Sequence, residues 1–258
     1  MFESKLYHAI GRGAPFQKHP ESWDSDSRAL DRVIVAVQTT KHLSVSFQKT
    51  DQVFSHMTIV FADDSASLFA FLNSTIHAEW VRKYSSSLET RLRYIPTDCF
   101  ETFPLPARNP KINDLGERYQ EKRSNKMKSD GIGLTTLYNH FHDVDTFDDH
   151  LSELRNLHRE IDLAVARAYG WDDLDLGHGF REVSYLPEND RVRYTISEPA
   201  RIEVLRRLAE LNRQRYEEEV AQGLHGKKKP AVKSRATKAA RDQSALDLGD
   251  LPNFDLEP

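Results

Sequence analysis

The residues best suited to chemistry in this 258-residue sequence are the cations and hydroxyls grouped within residues 82–94. The candidate binding residues of this segment are the cations Arg82, Lys83, Arg91 and Arg93 and the aromatic residue Tyr94. Arginine can bind a guanine edge through two hydrogen bonds, lysine and serine can bind phosphate, and tyrosine can pack on a sugar or an extruded base. The segment therefore predicts a DNA contact, which Lys41 and Lys49, with His42 and His56, would extend. A solvated helix end explains the same cations, because the helix dipole favours positive charge at the C-terminus.

Three histidines are weaker candidates. His140 and His142, with Asp143 nearby, would suit one metal ion if they lay in an extended segment. Two imidazoles without a cysteine ligand beside them rarely form a metal site. A structural role is therefore predicted for both histidines, and no metal is assigned. His178 lies between two glycines and is predicted to be an exposed side chain on a tight turn.

The sequence contains none of the common catalytic motifs. It has no G-x-x-x-x-G-K-[ST] phosphate loop, no G-x-G-x-x-G after a predicted strand, no G-x-S-x-G elbow and no H-E-x-x-H helix. The Asn/Asp-Pro-Pro-Tyr/Phe loop of amino methyltransferases is also missing, since Asn109-Pro110 is followed by Lys111-Ile112. No catalytic residue and no cofactor is assigned in this sequence, and whether the protein is an enzyme stays open.

Composition limits the class of protein. The 36 Lys and Arg residues against 40 Asp and Glu residues give a net charge of −4, which excludes a uniformly basic nucleic-acid coat. The single cysteine, Cys99, excludes an internal disulfide framework and a cysteine zinc site. No apolar run approaches the roughly 18 residues of a membrane span, and no signal peptide begins the sequence. A cytoplasmic prokaryotic protein without a membrane partner is predicted.

The first half of the sequence predicts a small, largely antiparallel sheet. Residues 31–37 are β-branched and apolar on both faces, as in a buried central strand. Residues 42–48 alternate strictly, and the polar residues 49–51 are predicted to close a hairpin onto a strand at 53–61. Apolar residues at every fourth position then predict one helix over 66–83. Three prolines in residues 96–106 predict that 84–106 form a fixed extended loop.

The second half predicts helices. Helical spacing begins near residue 111, a stronger amphipathic helix ends at Gly170, and a last helix follows Ser197. The fold class predicted is α+β, with a β-rich recognition domain at 1–107, a helical C-terminal domain at 108–225 and a disordered charged tail at 226–258. The tail has seven basic residues over 226–241, which can add phosphate contacts, and an acidic stretch after them that can cancel this attraction.

Several ordered blocks together resemble one known family. They are residues 31–42, 53–62, 72–81, 92–106, 137–143 and 168–180, including Leu72-Asn73-Ser74 and the exit Phe103-Pro104-Leu105-Pro106. Over roughly residues 25–225 the chain resembles the C-terminal part of MmeI-like type IIG/IIL restriction-modification enzymes, which are adenine-specific DNA methyltransferases, with relatives in phage defence. In that family this part is the target recognition domain and a C-terminal helical segment.

The resemblance implies a module that reads double-stranded DNA for an adenine-N6 methyltransferase. The family's catalytic part, with its Asn-Pro-Pro-Tyr loop and its S-adenosylmethionine, lies upstream and is not in this sequence. The resemblance thus implies a truncated, split or separately encoded piece that works with a separate catalytic chain and has no turnover alone. Two alternatives stay open: a protein–protein docking subunit, or a non-functional remnant of a larger methyltransferase.

Overall fold

A computed structural model of the chain describes residues 30–88, 91–106 and 109–223. Its strands are β1 (Arg32–Val37), β2 (Thr39–Thr40), β3 (Val45–Lys49), β4 (Thr58–Phe61), β5 (Ser86–Leu88), β6 (Arg91–Arg93), β7 (Gly179–Glu182) and β8 (Val192–Thr195). Its helices are α1 (Ala66–Asn73), α2 (Thr75–Tyr84), α3 (Pro96–Cys99), α4 (Pro110–Asp130), α5 (Leu134–His142), α6 (Asp149–Ala168) and α7 (Glu198–Ala221). The predicted α+β class is confirmed, with antiparallel sheets first and mostly helices after them. The predicted charged tail lies outside the described residues.

Strand β1 is the centre of the first sheet, as its apolar faces predict. The order is β3-β1-β4, and both pairings are antiparallel. Ile34 and Ala36 face the main core, whereas Val33 and Val35 pack in a second cluster with Val60 on the outer face. The predicted hairpin at residues 49–51 was therefore wrong, because β1 lies between β3 and β4 and those two strands do not pair with each other.

The helix predicted over 66–83 is two helices that meet at Ser74. The Ser74 backbone is extended (φ −67°, ψ 151°), so it ends α1 and caps α2. Its hydroxyl accepts a hydrogen bond from the His77 amide at 3.2 Å and donates one to the Phe71 carbonyl at 2.7 Å. These bonds satisfy backbone groups that a helix end otherwise leaves without partners.

The interpretation of residues 84–106 as an extended loop was wrong. Strands β5 and β6 pair antiparallel, β6 also pairs with β2, and α3 follows. Tyr94 extends this pairing, because its amide donates to the Gln38 carbonyl at 2.8 Å. The prolines are confined to α3 and the exit after it, so they leave β5 and β6 undisturbed.

The helical prediction for the second half is confirmed. Helix α4 begins with the Asn109 cap and Pro110, and it ends at Gly131 in the left-handed region (φ 64°). Asp148 caps α6, and its side chain also pairs with Lys126. One buried cluster runs from Ile34 to Leu208, so strands and helices share a core. A domain boundary near residue 107 stays a prediction.

The described residues up to 218 belong to one compact unit. Of the second unit, residues 219–258, the structure describes only 219–223, which complete α7 and an exposed turn.

Close packing of α1 on α4 depends on Gly116. A Cβ atom at this position would lie 2.2 Å from the backbone oxygen of Ala66, so the two helices would have to separate. We expect Gly116→Ala to lower the free energy of unfolding by about 2 kcal/mol or more, and the melting temperature by roughly 5 °C. Thermal unfolding measures this. Gly133→Ala is the control, because its Cβ would meet nothing within 4 Å; equal effects at both glycines would contradict the packing argument.

Candidate nucleic-acid interface

The predicted cations Arg91 and Arg93 lie on β6, the middle strand of the small sheet β2-β6-β5. Both side chains are exposed. They project from the same face because alternate residues of a strand share a face. Thr39 on β2 and Ser86 on β5 are the neighbours of Arg93 across the sheet. The sheet thus presents two guanidinium groups on one face.

Two further predicted cations lie close to β6. Lys83 is exposed in the last turn of α2, three positions before Ser86, the partner of Arg93. Lys41 follows β2 directly, and its ammonium contacts Asn139 Oδ1 at 2.9 Å and Asp190 Oδ1 at 3.3 Å. Lys41 is therefore partly committed to contacts within the protein.

Lys49 is not part of this group. It pairs with Arg32 at the start of β1, whereas β2 follows the end of β1. Five steps along β1 at about 3.3 Å per residue separate the two ends by roughly 17 Å. Lys49 is exposed, but it lies at the opposite end of the first sheet from Arg93.

Arg82 lines a pocket between α2, α5 and the β7–β8 segment, so its side chain is only partly exposed. Glu79 lines the same pocket and accepts a hydrogen bond from the Tyr185 hydroxyl at 2.8 Å. Burial raises the pKa of Glu79, and the positive charge of Arg82 opposes that rise. No sequence pattern predicts this contact, since Tyr185 lies 106 residues from Glu79.

Tyr94 does not lie on the surface, so the prediction that it packs on DNA is wrong for this structure. Its side chain is 1% exposed and lies in the main core. Its hydroxyl lies 3.2 Å from Nε2 of the buried His77. Strand alternation explains the placement, because Leu92 and Tyr94 face the core while Arg91 and Arg93 face outward.

Replacing Tyr94 by phenylalanine separates its structural role from DNA contact. We expect Tyr94→Phe to lose the hydrogen bond to His77, which costs about 1 kcal/mol of stability. Duplex affinity should stay within twofold of wild type, because the ring is buried. Thermal unfolding and fluorescence anisotropy with labelled duplex measure the two effects; a large loss of affinity in a folded variant would return Tyr94 to the interface.

His42 is also inside the protein, although the strand pattern placed it on the polar face. Nδ1 of His42 accepts from Arg193 at 2.8 Å, and Nε2 donates to Asn139 Oδ1 at 2.9 Å. Burial and the Arg193 charge lower the pKa of His42 to about 4, although the Asn139 contact opposes the shift. Burial lowers the pKa of Arg193 to about 10 while Asp190 opposes that change. His42 is thus a neutral link between the sheet, α5 and β8.

The remaining histidines do not form a metal site in the part of the chain that the structure describes. No group of three His, Cys, Asp or Glu side chains there is arranged to hold a metal ion. His140 and His142 lie on helix α5, not on an extended segment, and two residues apart on a helix point in different directions. The prediction that His178 is exposed was wrong, since Nε2 contacts the fully buried Asp162 at 2.8 Å and the side chain is 3% exposed.

Comparison with known proteins finds a family of domains that matches the first part of the chain. Residues 16–107 match the family model described as MmeI, target recognition domain. The predicted resemblance is therefore confirmed over these residues, of which 30–88 and 91–106 are described here.

Two longer proteins are also similar to this chain. DNA methyltransferase A of Bacillus subtilis (strain 168) is 27% identical over 136 residues, which are 52% of this chain and 15% of that protein. A solved structure of the Type IIL restriction-modification enzyme MmeI in complex with DNA has a TM-score of 0.47 and 21% identity, over 71% of this chain and 21% of that one. The chain thus spans about a fifth or less of either protein. Within its described residues no helix is long and apolar enough to cross a membrane.

Proposed function

We propose that this chain reads a short sequence of double-stranded DNA for an adenine-N6 DNA methyltransferase of a restriction-modification or phage-defence system. The match of residues 16–107 to a target recognition domain carries the proposal. The exposed arginines of β6 support it, because they are the side-chain type most often used to read base edges.

The sheet β2-β6-β5 is the proposed reading element. Arg91 and Arg93 lie on one face of this small three-stranded antiparallel sheet, and β-sheets as well as two-stranded ribbons are used to read DNA grooves. Each guanidinium can donate two parallel hydrogen bonds to O6 and N7 of a guanine. We propose that Lys83 and Lys41, at the margins of the sheet, contact phosphates, which fix position without reading sequence.

The methyl transfer itself belongs to groups that this sequence lacks. An adenine must leave the base stack before its amino group can react. We propose that a catalytic methyltransferase part outside these 258 residues extrudes the adenine and binds S-adenosylmethionine. This chain would then supply the register on the duplex and the choice of site.

Selection from a pool of random duplexes tests the proposal. The purified chain is incubated with the pool at about 0.15 M salt, which screens weak phosphate attraction, and bound duplexes are sequenced after several rounds. We expect one short motif to be enriched. Binding without sequence preference, or no binding, would contradict sequence-specific recognition by this chain alone and favour a docking role.

A further inference from the structure

The pocket that Arg82 lines is a small polar recess between α2, α5 and the β7–β8 segment. Four residues of α2 form one side of it: Thr75, Ala78, Glu79 and Arg82. Their spacing places them on one face of the helix. The other sides are formed by the end of α5, by β8 and by the connection between β7 and β8.

The volume of this pocket is about 60 Å³. An apolar cavity of roughly 150 Å³ can hold benzene, which has six carbon atoms. By proportion, the pocket suits a group of roughly three non-hydrogen atoms. Arg82 is half-buried and Tyr185 is 47% exposed, so a small molecule can enter from solvent on the side where these two residues lie.

Arg193, on the β8 side of the pocket, has one hydrogen-bond donor that is not used. The residue is 3% exposed. One of its Nη atoms donates to Nδ1 of His42 at 2.8 Å, and the other contacts Asp190. Its Nε is buried and has no hydrogen-bond partner among the described residues. A buried N–H group without a partner destabilises a protein, so this donor indicates a missing acceptor.

Arg82 adds a second guanidinium group to the same pocket. No hydrogen bond or ion pair joins Arg82 to another described residue. Glu79 also lines the pocket, but its carboxylate accepts from the Tyr185 hydroxyl at 2.8 Å and forms no ion pair with either arginine. Burial is the largest cause that lowers the pKa of Arg193 to about 10, and the charge of Arg82 contributes. An anion near both guanidinium groups would reduce their repulsion.

The histidines that line the pocket do not supply a negative charge or a permanent positive one. Burial is the largest cause that lowers the pKa of His42, to about 4, and also that of His142 and His158. Nδ1 of His142 is buried and has no hydrogen-bond partner among the described residues. The His142 ring stacks on that of His42, with 5.3 Å between their centroids. A second unused polar atom therefore belongs to the wall that holds Arg193.

Size and donor number both favour a carboxylate over a larger anion. A carboxylate group has three non-hydrogen atoms, and its two oxygens can be bound by the guanidinium of Arg82 and by Nε of Arg193. Phosphate has five non-hydrogen atoms, and four oxygens would need more donors than these two groups leave free. Apolar residues in the same walls, such as Leu43 and Leu186, suit the short carbon chain of an organic acid.

We propose that this pocket binds the carboxylate group of a small organic acid, with Arg82 and Arg193 as the residues that bind it. The bound carboxylate accepts from the free Nε–H group of Arg193 and reduces the repulsion between the two arginines. The inference goes beyond the proposed function and requires no DNA. Arg82 then serves a ligand pocket of its own, apart from the exposed arginines of β6.

Acetate is the probe for this site, because it is a carboxylate with a single methyl group. Chloride is exchanged for acetate at a constant ionic strength of about 0.15 M, so that general screening does not change. Nuclear magnetic resonance follows the Nε–H signal of Arg193 in the full chain. We expect a saturable shift with a dissociation constant on the order of 1 mM, which is weak because the ligand is very small. Inorganic phosphate, tested in the same way, should give no saturable shift.

Two variants separate the charge of the pocket from its space. Arg82→Gln removes one charge and should weaken acetate binding at least tenfold. Ala78→Leu adds three carbon atoms from α2, which fill the pocket, and should abolish binding. Arg118→Gln is the matched control, because Arg118 is exposed on α4 and makes only a long ion pair of 3.6 Å. Its affinity for acetate should stay within twofold of wild type, and thermal unfolding checks that every variant is folded.

Three results would overturn the inference. The first is a folded wild-type chain without a saturable acetate shift, and the second is an equal response to acetate and phosphate. The third is acetate binding that persists in both Arg82→Gln and Ala78→Leu. All of these measurements are made without DNA, so their failure would leave the proposed function unchanged.

Discussion

Replacing Arg91 and Arg93 together by alanine is expected to weaken binding of the selected duplex by one to two orders of magnitude. A guanidinium that binds a guanine edge contributes about 1–3 kcal/mol of discrimination. If either arginine instead contacts phosphate, its loss lowers the steepness of the plot of log affinity against log salt concentration by about 1. Both side chains are exposed, so stability should stay close to that of wild type. Fluorescence anisotropy from about 0.05 to 0.2 M salt separates the two kinds of contact.

The matched control removes two arginines elsewhere. Arg118 on α4 and Arg167 on α6 are exposed and make only long ion pairs of 3.6 Å and 3.9 Å. The double variant Arg118→Ala and Arg167→Ala changes the net charge equally, so its loss of affinity measures the general electrostatic effect. Equal losses in the two double variants would remove Arg91 and Arg93 from the interface.

The free energy of unfolding is expected to fall steeply as the pH decreases from 6.5 toward 4. Burial lowers the pKa of His77 to about 3, and burial is also the largest cause that lowers the pKa of His42 to about 4. Below pH 6.5 the unfolded chain takes up protons that the folded chain excludes, so acid favours unfolding. The slope is about 1.4 kcal/mol per pH unit for each such histidine. Burial likewise lowers the pKa of His142 and His158, which adds to the effect.

Urea unfolding at pH 7, 6 and 5 measures this dependence before most carboxylates titrate. His77→Gln keeps a polar partner for Tyr94 but does not titrate, so it should lose about 1.4 kcal/mol per pH unit of the slope. Stability that is constant from pH 7 to pH 5 would contradict neutral buried histidines.

Much of the fold was predictable because hydrophobic patterns are local. The apolar faces of β1 predicted its central position, and the helical spacing from residue 111 predicted the start of α4. The order of the sheet was not predictable from turn residues, because the polar residues 49–51 suit a hairpin as well as a crossing connection. The break at Ser74 was hidden, since Leu72 and Ile76 keep helical spacing across it.

The candidate site was predictable in composition but not in orientation. Residue types alone selected Arg91, Arg93 and Tyr94 as one group. Had residues 91–94 been interpreted as a strand, alternation would have placed Tyr94 on the face opposite to both arginines. The contacts of His42 with Asn139 and Arg193 had no such signal, because their sequence separations are 97 and 151 residues.

The ratio of affinities for the selected duplex and for a scrambled duplex of equal composition tests sequence reading most directly. It is measured at about 0.15 M salt with the wild-type chain, since lower salt exaggerates contacts to phosphate. A chain that reads DNA by itself is predicted to prefer the selected duplex by roughly 10³-fold or more. A ratio near 1 would show that these residues bind only the backbone, and it would contradict the account.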